Sequence, residues 1–248
     1  MLARHLNEVV AAARAILATH AISFPGLPSA TLAAALNLTA AVHDLAKATS
    51  HFQAYLRNEP YIPALKPHSL LSACYAFHRA QAIPDLPWDD VIPGLIACAV
   101  AGHHGEYPGF PALALAIKRG ITTLHRQIDA LDPAVFALTP GGVSLGPGFT
   151  HEDLDRVARA VADLARSYPR RPLDEKIRHR ILGLFLISVL LEADRTVLAL
   201  GRLPDDPPLP LPVAAVADHI TTLPVYDTEI GRIRGECLAQ AAHTDHSP

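Results

Sequence analysis

The stretch AAVHDLAKATSHF, residues 40–52, puts a histidine and an aspartate side by side in an otherwise apolar run, with Lys47 three positions after the acid. Read forward from Ser29, it forms the last part of a helix reaching about Lys47, with Ser29 as its cap. Neighbours on a helix diverge by about 100°. His43 and Asp44 therefore cannot share a line, but they can approach one point beside the helix from two sides, offering an ion one nitrogen and one oxygen. Lys47 lies four positions after His43 and three after Asp44, so it shares their face. Two readings stay open here: a polar cluster with an ion pair at a helix C-terminus, or one part of a metal site.

Outward from this stretch the chain reads as almost wholly helical, and the fold class it implies is all-α. Helices are expected over residues 2–21, 29–47, 51–57, 68–82, 89–101, 111–130 with a break at Gly120, 151–167, 174–200 and 228–242. The segment 23–28 is a turn, 60–67 is a Pro-punctuated loop, and TPGGVSLGPG at 139–148 is a loop by its glycines and prolines. LPDDPPLPLP at 203–212 is an extended Pro-rich connection. No alternating strand pattern of useful length and no internal repeat is visible. The domain expectation is one helical domain over residues 1–202, followed over 203–248 by a Pro-rich arm and a C-terminal amphipathic helix.

The bulk properties bound the function. Half of the 248 residues are apolar, enough for a sizeable core, and the net charge is −3. A free-standing nucleic-acid binder is usually basic. A site here that acted on nucleic acid would draw its positive charge from a metal or a partner. Three widely spaced cysteines, with no CxxC pair, argue against a thiolate zinc site or a disulfide framework and fit a reducing, cytoplasmic setting. The N-terminal segment carries polar residues where a signal peptide needs an apolar run. The longest apolar run, residues 181–191, is too short to span a bilayer and reads as a buried helix, so no membrane partner is expected.

Histidine is the unusual count, at 14. Nine (His20, His51, His78, His125, His151, His179, His219, His243, His246) sit in ordinary polar or terminal settings and are taken as surface residues. The others fall in patterned places. His68 starts a helix after Pro67. His103 and His104 stand between Gly102 and Gly105 at a helix end, where glycine lets the backbone turn and leaves room for a bound group. His5 lies in the first helix. Asp194 ends the apolar ILGLFLISVLLEAD, where a carboxylate is costly unless it is hydrogen bonded, paired or metal-bound. Pairing with Arg195 or Arg202 is the plain alternative. Mixed nitrogen and oxygen ligands suit Mn, Fe, Co or Ni and suit Mg less well. Up to five histidines and two aspartates could hold two divalent ions, with Asp44 as the bridge. Such a pair would activate a water and clamp a phosphate, with Lys47 as a phosphate-facing cation.

HDLAK, then HSLLSA starting 24 residues after Asp44, then GHHG, then the SxLxxAD pattern of SVLLEAD, resemble the motifs of the HD-domain phosphohydrolase superfamily. Order and spacing are most similar to one branch, the CRISPR-associated HD-type nuclease of type I interference, where Phe52-Gln53 also has a counterpart. The resemblance covers roughly residues 1–200 and implies an HD-domain helical bundle. It places His43, Asp44, His68, His103, His104 and Asp194 at metal-ligand positions and Lys47 at the lysine of the motif. His5 matches an early histidine only loosely, and Ala46 stands where the family commonly has glycine. The implied function is a metal-dependent nuclease, endo- and exonucleolytic, that hydrolyses single-stranded DNA in antiviral CRISPR defence through a water activated by two metals. Asp44 and Lys47 are its expected catalytic residues. The implied partners are single-stranded DNA, a helicase (fused or separate) and a CRISPR RNA-guided surveillance complex. No GxxxxGK[ST] helicase signature occurs in the chain. Two alternatives remain: an HD-type phosphohydrolase acting on nucleotides or cyclic nucleotides, and a non-catalytic assembly protein that kept the fold.

Overall fold

In the computed structural model of the chain, the described residues are 1–19, 24, 27–82 and 91–200. The chain divides after Leu203 into two compact units, and all described residues belong to the first. The arm and final helix expected over 203–248 lie outside the described residues, as do His20, His219, His243, His246 and Arg202. The architecture is all-α. Among the described residues eight α-helices follow in order: α1 Leu2–Thr19, α2 Ser29–Val42, α3 Ser50–Leu56, α4 Ser69–Gln81, α5 Ile92–Gly102, α6 Phe110–Asp129, α7 His151–Ser167 and α8 Leu173–Leu200. Among the described residues there is no strand, only two isolated bridges. No described helix is long and apolar enough to cross a membrane.

The core follows from which helices are apolar all round. Every residue of α5 except Ala101 is buried, and so is most of α2 from Thr31 onward. A helix without a polar face has to be surrounded. α5 packs on α4, α2 and α8, while α1 packs on α2 and α8 and α6 on α7. α7 is the opposite case, with one apolar stripe at Leu154, Val157, Val161 and Leu164. Its start is fixed by a capping box: Asp153 N–H donates to Thr150 Oγ1, and Thr150 N–H donates to Asp153 Oδ2. Gly94 permits a close approach of α5 to α6 and α7, since a Cβ there would lie 2.5 Å from Leu164 Cδ2 and 2.8 Å from a Phe110 ring carbon.

Four sequence expectations need correction. α2 ends at Val42 rather than near Lys47. His43 and Asp44 form the turn after it, and a 3-10 turn, Leu45–Ala48, carries the lysine. Ser29 is the first residue of α2 and Pro28 holds the cap position, without a side-chain cap bond. α6 runs through Gly120 without a break. Among the histidines taken as surface residues, His179 is buried on α8.

Candidate metal centre

Two helices end in the same device. His43 is the C-cap of α2, and its Nδ1 lies 2.8 Å from the Ala40 carbonyl oxygen. His103 is the C-cap of α5, and its Nδ1 lies 2.6 Å from the Val100 carbonyl oxygen. A carbonyl oxygen can only accept, so each Nδ1 carries the hydrogen and donates it to a carbonyl that the helix end leaves unpaired. Both imidazoles are thereby fixed in orientation, with Nε2 turned inward. The partial negative charge of two helix C-termini lies beneath them and favours a cation.

What Nε2 meets is carboxylate. His43 Nε2 lies 3.4 Å from Asp44 Oδ2 and 3.7 Å from Asp194 Oδ1. His5, reaching in from α1, places its Nε2 3.3 Å from Asp44 Oδ2 and 3.2 Å from Asp194 Oδ1. On the other carboxylate oxygen, Asp44 Oδ1, His68 Nε2 sits at 3.0 Å and His103 Nε2 at 3.5 Å. His104 Nε2 is 3.0 Å from His68 Nε2. Lys47 Nζ is 2.5 Å from Asp44 Oδ2. The eight residues named from the sequence therefore converge, drawn from α1, the α2 end and following turn, the α4 start, the α5 end and α8. Asp194 faces His5 and His43, not Arg195.

The arrangement divides into two sets around one carboxylate. Asp44, His68, His103 and His104 form one; His5, His43 and Asp194 form the other; within each set the ligand atoms lie within 4.8 Å of one another. Asp44 is 2 % exposed and His43 not at all. The inward atoms His5 Nε2, His43 Nε2, His103 Nε2, Asp44 Oδ1 and Asp194 Oδ1 have no hydrogen-bond partner. Buried carboxylate charge without full compensation costs several kcal/mol. Atoms bound at about 2.1 Å to one octahedral ion lie about 3 Å apart. The separations between nitrogen and oxygen run from 3.0 to 3.7 Å, at and somewhat above that spacing. The donor set thus fits divalent cations.

The electrostatics of the protein alone differ between the two sets. Burial pushes the His43 imidazole down, but the Asp44 charge and the two carboxylate contacts more than reverse it, to about 9. His5 is raised by Asp194 and Asp44. Burial pushes His68 down, and burial with the neighbouring imidazoles pushes His104 down to about 4. At His68 and His104 this favours the neutral imidazole, whose nitrogen carries a lone pair. Burial would raise the Asp44 and Asp194 carboxyls, yet the facing imidazoles, His43 above all, hold both below the usual carboxylate range.

Sequence reasoning missed the residues that hold the turn. Ala46 N–H donates to Ser72 Oγ at 3.0 Å, tying the turn after Asp44 to α4. Gln53 Nε2 donates to the Lys47 carbonyl at 2.7 Å. Ser72 sits four positions after His68 in HSLLS, so its place in the first turn of α4 was the available signal. The flanking glycines also differ in purpose. A Cβ on Gly102 would lie 3.0 Å from Tyr107 Cα and from Ile187 Cδ1, whereas one on Gly105 would meet nothing within 4 Å.

Comparison with curated proteins and with solved structures finds no significant match. A family described as Cas3, HD domain, matches residues 1–188, about three quarters of the chain. The matched segment holds seven of the eight converging residues and stops short of Asp194, which the geometry places in the site beside His5 and His43. The family points to a metal-dependent nuclease of CRISPR defence, and the histidine and aspartate sets supply the metal-binding chemistry such an enzyme needs. By its helical architecture and by this match over most of its length, the chain belongs to the Cas3 HD-domain family.

Proposed function

We propose that the chain hydrolyses phosphodiester bonds of single-stranded DNA with two divalent ions. Asp44 would hold both with its carboxylate, and Lys47 would face the phosphate. The observation that carries this reading is the division of the Asp44 carboxylate, with Oδ1 toward His68 and His103 and Oδ2 toward His5 and His43. His68, His103 and His104 would hold one ion and His5, His43 and Asp194 the other. Bound there, the ions supply Lewis acidity toward the phosphoryl oxygens and lower the pKa of the attacking water.

The protein's own residues prepare the rest. Ala40 and Val100 carbonyls hold two imidazoles in the tautomer that leaves Nε2 as a lone-pair donor. Lys47 and His104 are the members most open to solvent, so an incoming diester meets them first. The Lys47 ammonium, held by Asp44, offsets charge that develops on the phosphate. The buried setting of the other ligands favours a strand that can be drawn in over a rigid duplex. A net charge of −3 gives weak intrinsic affinity for DNA, which supports delivery of the strand by a helicase acting with an RNA-guided surveillance complex.

The test is incubation with circular single-stranded DNA in a Mn²⁺, Co²⁺, Ni²⁺, Fe²⁺ and Mg²⁺ series, beside a panel of nucleotides and cyclic nucleotides. Cutting of the circle with at least one ion, without turnover of the panel, is expected. Turnover of the panel with intact circles transfers the site to small-molecule phosphohydrolysis.

A further inference from the structure

From the metal centre a series of aromatic rings leads outward. The His68 ring contacts Phe52 with centroids 5.1 Å apart, Phe52 contacts Tyr55 at 5.9 Å, and Tyr55 contacts Tyr61 at 5.5 Å, all edge to face. The inner ring, Phe52, is buried, while Tyr55 is 39 % exposed and Tyr61 half-buried. Two ammonium groups accompany the series: Lys47 Nζ is 5.7 Å from the Phe52 centroid and Lys66 Nζ 4.0 Å from that of Tyr55. Tyr55, Leu56 and Ile62 are three of only ten exposed large apolar side chains among the described residues, so this short segment gathers a patch that folding leaves in water.

The outer end is built rather than accidental. α3 ends in a Schellman motif: Asn58 takes a left-handed conformation with φ 55°, Glu59 N–H donates to the Ala54 carbonyl and Asn58 N–H to the Tyr55 carbonyl. This turn reverses the chain and returns Tyr61 to Tyr55. Arg57 is consumed by a two-pronged contact with Glu59, both at 2.8 Å. Among the described residues Lys66 meets no carboxylate and rests only on the Tyr55 ring. An exposed ring and a half-buried one beside a cation without a counter-charge supply the two groups a nucleotide requires, a face for the base and a positive charge for the phosphate.

We propose that Tyr55, Tyr61 and Lys66 form a stacking platform that guides single-stranded DNA toward the metal centre, the two rings taking bases and Lys66 a backbone phosphate. It rests on the reading of that centre as a single-stranded DNA nuclease. Continuity supports it, because the series begins at His68, which contacts Asp44. Stacking on a ring tolerates any base, so the platform confers preference for unpaired strands without preference for sequence. A duplex, with its base faces covered, gains nothing from it.

The test is fluorescence anisotropy of a labelled thymidine oligonucleotide with the full chain in EDTA, so that no cleavage is needed. Tyr55→Ala and Tyr61→Ala should each weaken binding roughly tenfold, while Tyr55→Phe and Tyr61→Phe should bind as the unsubstituted chain does. Lys66→Gln should flatten the slope of log affinity against log salt by about 0.7, the loss of one phosphate contact to a single strand. Melting temperatures report whether the variants fold, and the Lys66→Gln slope stands alone if an alanine variant does not. Unchanged affinity in the alanine variants with an unchanged Lys66→Gln slope overturns the proposal, as does equal loss of duplex binding. Hydrolysis of bis(p-nitrophenyl) phosphate by the unsubstituted chain with metal tests the nuclease reading separately. Its failure removes the reaction, whereas unchanged strand affinity alongside active hydrolysis removes only the platform.

Discussion

Asp44 is a buried acid that touches four imidazoles and an ammonium, and its two oxygens answer to different partners. Asp44→Ala should therefore abolish DNA cleavage and lower bound metal together, with far-UV circular dichroism unchanged. Full retention of cleavage would remove the bridging role. Lys47 touches the same carboxylate from a more open position. If it acts on the phosphate, Lys47→Ala should reduce the rate about 100-fold while metal content changes little. Equal losses of rate and metal would make Lys47 a support for Asp44 instead. At this scale much was legible: an acid and an imidazole adjacent in an apolar run, a GHHG at a helix end and an acid closing an apolar run each violate ordinary burial preferences. The tautomers were not legible, because they are set by the Ala40 and Val100 carbonyls, and backbone groups carry no mark in a sequence. His179 was misjudged for a related reason, since its burial depends on what packs against α8.

Among the elements, periodicity located the helices well and their ends less well. Leu45 and Ala46 continue the buried pattern of α2, and neither glycine nor proline interrupts it. The helix stops at Val42 because tertiary bonds compete for the backbone, Ala46 N–H going to Ser72 Oγ across to α4. Gly120 errs the other way. It costs about 1 kcal/mol relative to alanine, and the buried Leu113, Ile117 and Leu124 of α6 outweigh that. A true boundary signal is the Thr150–Asp153 capping box at the start of α7, which carries a prediction. Asp153→Ala should cost about 1–2 kcal/mol at pH 7, read as a lower urea midpoint. Burial would raise the Asp153 carboxyl, but the Thr150 hydrogen bonds hold it below its ordinary value. A group depressed in the folded state adds stability above its unfolded pKa of about 3.9 and loses it as pH falls through the folded value. The gap between wild type and variant should thus be full at pH 7 and narrow below about pH 4. Equal midpoints at pH 7 would show that the cap contributes nothing.

For the whole molecule, the site is the place where distant parts of the chain are joined. α1, the turn after α2, the start of α4, the end of α5 and α8 each contribute to one cluster, across 189 residues from His5 to Asp194. Spacing alone could not show that these segments meet; the motif resemblance implied it, and the packing of α1, α2 and α5 against α8 brings it about. Ions held there would act as cross-links that exist only in the folded state. A ligand binding the native state alone stabilises it by RT ln(1 + [L]/Kd), about 2.7 kcal/mol at a hundred times Kd. For a domain of roughly 150–250 residues each kcal/mol moves the melting temperature about 2–4 °C, so saturating Mn²⁺ or Co²⁺ should raise it about 5–10 °C above the value in EDTA. Surface carboxylates could bind ions weakly and imitate a small shift, so the decisive comparison is Asp44→Ala. With the bridge removed, the metal-dependent rise should fall to a third or less while the melting temperature in EDTA stays close to that of the unsubstituted chain. An equal rise in both proteins would place the stabilising ions elsewhere, and the convergence of the five segments would then owe nothing to metal.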